Sequence, residues 1–527
     1  VPESEQQSVI IISIIKMRFF IVILFLVALK GVWSQDTLVH IRKILPMSSP
    51  MGSDVCLQDY VYSIDYSYVN RKASYDSHQA ILPIRANYLV FPEDHQPGNG
   101  PGYSRCRELE FKPVSESYAS IDSSNNLSYR VSAGVAFRFQ RNRWYNKTQF
   151  ISGWSSRETV DQDHAAFLPN NDHSYYWYNS FRTRTHYTYS DALDVSFGID
   201  NHFIGEGYRS LIQGNQNAPV PFAMMRVNFW RLEYGLLYQF NHENTANSQM
   251  WKFNVLHYLS YNITHNFNVT LIEQVLFQPK DGTFNRGFEI EYLNPIVFFR
   301  PQEYSLGSTD NVLLGLNTSY KLKQHVIYGQ VSLDEFVIDE IRKRSKWWAN
   351  KYGAQLGIKG TFKGLKYIVE GNVVRPYTYS HINSGQNSGN MGLAVGHPLG
   401  SNFAEILTVV TKEHFKSSGN SSTNKFSFSG FAAFQLKGYD PDSLSWGGNI
   451  YESYVLRPKE YGNTIGQGKT VRSVLLGGQF AYSNLKWPFE YYAQFGVNYS
   501  WGEIKSVFSP SAVIGIRSTL FQTRKMF

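Results

Sequence analysis

Only two cysteines, Cys56 and Cys106, occur in 527 residues, so neither a cysteine-ligated zinc module nor a disulfide-dense scaffold fits the chain. Long apolar runs are almost as scarce. The mean hydropathy of −0.32 excludes a polytopic helical membrane protein. Charged residues make up 17%, and the net charge of +8 is too small an imbalance at this length to argue for nucleic acid. Catalytic fingerprints are missing as well: there is no HExxH, GxSxG or paired CxxC, and neither a P-loop nor a dinucleotide glycine pattern. The 14 histidines are scattered, and Asp161-Gln162-Asp163-His164 alone is a poor metal site. The expectation is a non-enzymatic chain with no cofactor and no metal.

What the chain has in quantity is aromatic residues, 16% of the total, with 36 Tyr and 40 Gly. Half of every strand in a transmembrane barrel faces water, so such proteins read as hydrophilic on average. Phe489 to Trp501 carries the signal most clearly. Phe489, Tyr491, Ala493, Phe495, Val497, Tyr499 and Trp501 alternate with Glu490, Tyr492, Gln494, Gly496, Asn498 and Ser500. Alternation over that length means a strand with one apolar and one polar face. Rings at both ends of the apolar face suit a strand whose aromatics sit at two membrane interfaces.

A single such segment would also fit a soluble sandwich, but the pattern recurs. Leu127–Gln140, Leu193–Asp200, Trp230–Phe240, Val312–Leu322, Ser473–Tyr482 and Phe508–Leu520 all alternate in the same way. About sixteen to eighteen segments can be counted, and a single-chain bacterial barrel takes an even number. The predicted fold is an all-β, antiparallel transmembrane barrel of about eighteen strands. The polar face is assigned to the lumen, because an Arg facing lipid near midplane costs about 2–4 kcal/mol. Arg130, Arg138, Glu370 and Arg517 are therefore expected to point inward. With Ser483–Trp487 as a periplasmic turn, Lys323–Gln324, Thr361–Leu365 and a turn over 413–424 fall on the same side. The long connections 335–349, 376–402, 438–470 and 502–507 then lie outside.

Residues 16 to 35 read as a secretory signal, with Lys16 and Arg18 ahead of an apolar core from Phe19 to Leu29. Residues 1–35 are accordingly set apart as upstream sequence plus signal peptide. Residues 36–120 lack clear alternation and are expected to form an N-terminal periplasmic or plug segment, followed by the barrel over 121–527. In an oxidising compartment Cys56 and Cys106 are disulfide candidates, and closing that loop would contribute about 4 kcal/mol.

Five strings stand out along the chain. They are Gly205-Glu206-Gly207-Tyr208-Arg209-Ser210-Leu211, Tyr292-Leu293-Asn294-Pro295-Ile296-Val297-Phe298-Phe299-Arg300-Pro301, Leu333-Asp334-Glu335-Phe336, Arg375-Pro376-Tyr377-Thr378-Tyr379-Ser380-His381 and Gly396-His397-Pro398-Leu399-Gly400-Ser401-Asn402. Taken in order over residues 105–520, they resemble the capsule assembly Wzi family, in particular its Bacteroidetes branch with the gliding-motility proteins of the RemB type. The resemblance implies a bacterial outer-membrane barrel that acts as a surface lectin, helping to attach or organise exported polysaccharide. The N-terminal part carries no strong helical-bundle pattern.

The residues themselves give a less specific reading. Tyr377, Tyr379, His381, His397 and Asn402 offer stacking faces and hydrogen-bonding groups for a sugar, on loops where recognition usually sits. Arg209 and Arg300 suit the uronate or phosphate groups of an acidic polymer. Bland alternatives stand beside each. Arg300 and Glu335 fit internal pairs that fold loops into the lumen, and the Pro-Tyr-Thr-Tyr run fits an interfacial girdle. Trp347 and Trp348, after Arg342-Lys343-Arg344, fit the membrane surface. The expected partners are the lipid bilayer and surface polysaccharide. A structural role in gliding or secretion machinery is the alternative, and a diffusion channel is a third reading.

Overall fold

The computed structural model describes residues 107–518 except 122–126, 142, 157–164, 170–174, 191, 230, 246–247, 265, 282–283, 286–291, 293–309, 419–421, 442–443 and 485–488. The signal sequence, most of the N-terminal segment, Cys56, Cys106 and Arg300 lie outside the described residues.

Eighteen strands form the wall. The first nine are β1 (Arg107–Ile121), β2 (Leu127–Arg141), β3 (Trp144–Ser155), β4 (Tyr176–Ser190), β5 (Leu193–Asp200), β6 (Val220–Phe229), β7 (Leu232–Thr245), β8 (Ser248–Asn262) and β9 (Phe267–Phe277). The rest are β10 (Asn311–Leu322), β11 (His325–Glu335), β12 (Lys351–Phe362), β13 (Leu365–Val374), β14 (Phe403–Ser418), β15 (Ser422–Tyr439), β16 (Lys469–Asn484), β17 (Glu490–Gly502) and β18 (Val507–Ser518). Each pairs antiparallel with the next, and β1 closes on β18 from Ser115↔Ser518 to Ile121↔Ala512. Pairing of the first strand with the last closes the sheet, which a bilayer demands of any spanning sheet. Where β5 ends short, the strand Ala165–Pro169 takes the neighbouring place along β4.

Two expectations need correction. The wall begins at Arg107, ahead of the boundary expected at 121, because β1 is a barrel strand. Its outward positions include Pro113, Ser115, Ser117 and Ala119, so its alternation is too weak to read. The turn expected over 413–424 is also shorter. β14 and β15 stay paired to Ser418↔Ser422, leaving only 419–421 between them. Every connection at that end is then five residues or fewer, and all the long connections fall at the other, which is the periplasmic pattern.

The two faces differ as the alternation requires. Leu356, Phe495 and Ile514 point out of the wall and are 68%, 66% and 65% exposed. Aromatic pairs mark both ends of this belt. Trp144–Tyr187 and Tyr482–Tyr491 lie near the short turns, and Trp154–Trp177 and Tyr499–Trp501 near the long loops. Polar side chains on the outer face satisfy one another, as at Asn146–Thr185 (2.8 Å) and Thr148–Thr183 (2.8 Å) between β3 and β4. Arg130, Arg138 and Glu370 are buried on the lumenal face, while Arg517 is half-buried and paired with Glu490. An apolar, girdled exterior around a polar interior is the architecture of a bacterial outer-membrane protein. Leu356→Arg should cost about 2–4 kcal/mol in urea titrations of vesicle-folded protein if this face meets acyl chains. An unchanged midpoint would mean that it does not.

One sector of the exterior is covered. Across β7 to β10, Tyr238, Val255, Val275, Phe277 and Val312 face outward yet are buried in one cluster with Tyr292. The Tyr292 ring lies 4.9 Å from Phe277, and its carbonyl is 2.9 Å from His257 Nε2. The string that begins at Tyr292 thus starts outside the wall.

Candidate functional site

The outer end of the barrel is built by the connections 201–219, 336–350, 375–402 and 440–468. The first and third enter the lumen, and inward side chains of the wall hold them there. Glu370 on β13 accepts from Tyr208 N (2.6 Å), Arg209 N (3.1 Å), Tyr328 Oη (2.7 Å) and Asn372 Nδ2 (2.9 Å). Gln330 on β11 accepts from Leu211 N and donates to the Ile204 carbonyl (3.1 Å). Lys359 on β12 donates to the Glu206 carboxylate (2.7 Å) and its carbonyl (2.8 Å). These bonds replace the water that buried carboxylates and backbone N–H groups would otherwise need.

Apolar contacts complete the seat. Ile204, Leu211 and Ile212 pack on inward Phe222, Met224, Leu237, Leu256, Ile272 and Leu313, and Tyr379 joins the same cluster. Beside it Asn201, His202, Gln213, Asn217, Gln239 and Asn390 line a polar cavity of about 10 Å³, room for one water. Among the described residues, no group of three or more His, Cys, Asp or Glu is placed to hold a metal ion.

The candidate residues lie inside this construction. Arg209 Nε is 3.6 Å from Glu405, which also receives His397 Nε2 (3.0 Å), Gln435 (2.8 Å) and Asn372 (3.2 Å). Arg209 and His397 are therefore brought together on one carboxylate. Tyr379 donates its hydroxyl to the Leu211 carbonyl (2.6 Å) and its N–H to Asp334 (2.9 Å). Tyr377 donates its hydroxyl to the Ser445 carbonyl (3.0 Å) and its N–H to the Gly447 carbonyl (3.2 Å). Asn402 bridges to Gly466 N (2.8 Å) and the Gln467 carbonyl (2.9 Å). His381 stands apart, edge-on to Tyr454.

Both tyrosines are fully buried, so the Pro-Tyr-Thr-Tyr run forms neither a girdle nor an exposed platform. Their backbones are left-handed, at φ 66° and 74°, as is Asn402 at 59°. A left-handed backbone costs a non-glycine residue roughly 1–2 kcal/mol, and the hydrogen bonds just described hold it in place. Gly447 must be glycine here, because a Cβ would lie 2.3 Å from Tyr377 N. Trp348 likewise lies within the loops rather than at the membrane surface, packed between Tyr377, Tyr454 and the Arg457 guanidinium. Glu335 is internal in part, pairing with buried Lys351 (2.9 Å).

Sequence reading missed the residues that latch loops to wall: Glu206, Gln330, Lys359, Glu405, and Lys437, which donates to the Leu399 (2.8 Å) and Gly448 (2.7 Å) carbonyls. For the four on the wall the one available signal was a charged or amide side chain at an inward position of an otherwise regular strand; Glu206 lies on the connection 201–219.

Burial holds both loop histidines toward the neutral form. His397 lies below its ordinary value because desolvation outweighs the attraction of Glu405. His381 is lowered to about 4 by desolvation and by Lys351. A lowered value in the folded state means that stability is complete above about 6.5 and is lost as pH falls from there toward 4. Acidification from pH 7 to 4.5 should therefore loosen the loops, read as faster proteolytic nicking of intact cells. His381→Gln should flatten that response, and an identical response in the variant would place its cause elsewhere.

No protein-family profile and no curated protein sequence matches the chain. Among solved structures it is similar to Wzi, an outer-membrane protein involved in group 1 capsule assembly in Escherichia coli and a carbohydrate-binding β-barrel. That similarity has 15% identity over 78% of this chain and 85% of that one, with a TM-score of 0.49. The chain is also similar to OprD of Pseudomonas aeruginosa (8% identity, 78% and 94% covered, TM-score 0.42). For OccAB1 of Acinetobacter baumannii the values are 9% identity, 81% and 100% covered, and a TM-score of 0.41. Identities this low say nothing of what the chain binds.

Proposed function

We propose that this outer-membrane barrel is a non-enzymatic binder of surface polysaccharide that assists capsule or exopolysaccharide assembly or attachment from its outer face. The observation that carries the reading is the pair of loops in the lumen: 201–219 and 375–402 are latched inside by buried side chains, which leaves the connections 336–350 and 440–468 as outer working surface. The five ordered strings that resemble the capsule assembly family support the same reading. In it Arg209, Tyr377, Tyr379, His381, His397 and Asn402, all buried, shape the mouth by positioning its loops, and Arg300 remains a candidate for direct contact with polymer.

A glycan array on the detergent-purified protein tests this, together with release of polymer from cells lacking it. Polysaccharide binding and shedding of surface polymer are expected. No glycan bound and unchanged surface polymer would refute the reading. An anchoring role in gliding or secretion machinery is favoured by one feature, the exposed apolar side chains of Val337, Ile338, Ile341, Val455 and Leu456 on the outer loops. A stoichiometric protein partner in pull-downs, with no glycan binding, would select it.

A further inference from the structure

Two outer loops meet in an exposed patch at the outer end of the barrel. Residues 345–348 run beside 460–463. Gly462 N donates to the Ser345 carbonyl (3.0 Å), Asn463 N to the Lys346 carbonyl (3.0 Å) and Trp348 N to the Glu460 carbonyl (2.9 Å). Ser345 Oγ also donates to the Glu340 carbonyl (3.1 Å), tying the clasp to the short helix Ile338–Arg342.

This clasp fixes Arg344 and Lys346 with left-handed backbones, at φ 53° and 55°. Such conformations persist in ordinary residues only where the surroundings over-determine them. Arg342, Lys343, Arg344 and Lys346 are all exposed. Arg342 and Lys343 are partly offset by Asp339 (3.6 Å) and Glu340 (3.0 Å). Arg344 and Lys346 enter no ion pair among the described residues. Tyr461, 57% exposed, lies on the same clasp, next to Gly462, whose N–H meets the Ser345 carbonyl. Beneath the patch, Arg457 lies 4.1 Å from the Trp348 ring centroid, giving the clasp a packed base.

We propose that this patch, Lys343, Arg344, Lys346 and Tyr461, is a docking site for an acidic polysaccharide. The inference rests on the polysaccharide-binding reading above and adds the place and the charge class. The cations face the uronate or phosphate groups of the polymer, and the phenol ring of Tyr461 offers a flat amphipathic surface to a sugar ring. Exposed charges act weakly one at a time and are screened by salt. A polymer that repeats its charge engages several together.

The test uses the intact detergent-purified protein immobilised on a sensor. Its probes are polygalacturonate, neutral dextran, and phosphatidylcholine vesicles with and without phosphatidylglycerol. Lys343→Gln/Arg344→Gln/Lys346→Gln should weaken polygalacturonate binding about tenfold and flatten its salt dependence, leaving any dextran binding unchanged. Arg344→Gln/Lys346→Gln, which spares the Lys343–Glu340 pair, should give an intermediate loss. Tyr461→Ala should weaken binding about threefold. A heat-induced mobility shift equal to the parent's confirms that each variant is folded.

Parent-like polygalacturonate affinity in the triple variant overturns the site while leaving polysaccharide binding intact. Loss of phosphatidylglycerol vesicles without loss of polygalacturonate also overturns it, assigning the cations to lipid. A parent that binds no polymer refutes both readings.

Discussion

Glu370→Ala is expected to turn a silent barrel into a conducting one. Four donors share that carboxylate, two of them backbone N–H groups at Tyr208 and Arg209 in the segment that fills the lumen. Removing the acceptor strands three of them, since Asn372 keeps its bond to Glu405, and each orphan costs roughly 1–3 kcal/mol unless water reaches it. Water reaches them most readily if 201–219 leaves its seat. The barrel itself should survive, because its ladder bonds do not involve the Glu370 side chain. Planar-bilayer recordings should show unitary steps for the variant and few or none for the parent. Glu370→Gln, which keeps the volume and one acceptor oxygen, should fall between them. A variant as silent and as stable as the parent would show that the carboxylate does not hold the lumenal segment.

Lys359→Met should be the most destabilising single change on the lumenal face, by roughly 3–5 kcal/mol. It leaves the Glu206 carboxylate, only 1% exposed, without its cation. Exchanging both partners should be far milder, since a buried pair returns little more than its desolvation cost. The double variant Glu206→Gln/Lys359→Met is therefore expected to recover most of the loss in urea titrations. Simple additivity of the two single changes would instead mean that they act independently.

Both predictions concern residues that sequence reading treated separately or not at all. Glu370 was expected to face inward because period-two alternation puts it opposite Val369, and it does. That it would face Tyr208 and Arg209, some 160 positions away in the chain, has no local trace. Tyr377 and Tyr379 show the opposite failure. Aromatic side chains beside proline in a long polar loop are ordinarily exposed. Here they are core residues of the loop assembly, and their left-handed backbones are visible only once folded.

A subtler signal was present in β7 to β9. Leu236-Leu237, Val255-Leu256 and Val275-Leu276 are apolar on both faces, side by side on three neighbouring strands. An apolar outward position suits lipid anywhere in the wall, whereas an apolar inward position needs a cover inside the lumen. The cover here is Tyr292 outside and Ile204, Leu211 and Ile212 inside. The interruption of the pattern thus marks where loops turn back onto the wall.

The sequence by itself determined the barrel: its strands, their two faces and the side of the short turns. Each of these follows from a rule with a period of two residues, enforced at every step by lipid on one side and polar groups on the other. The tertiary structure alone decided that two loops enter the lumen and which side chains hold them there. Those contacts join segments far apart in the chain, and a carboxylate, an amide and a lysine pointing inward look the same in sequence whether they meet water or a loop.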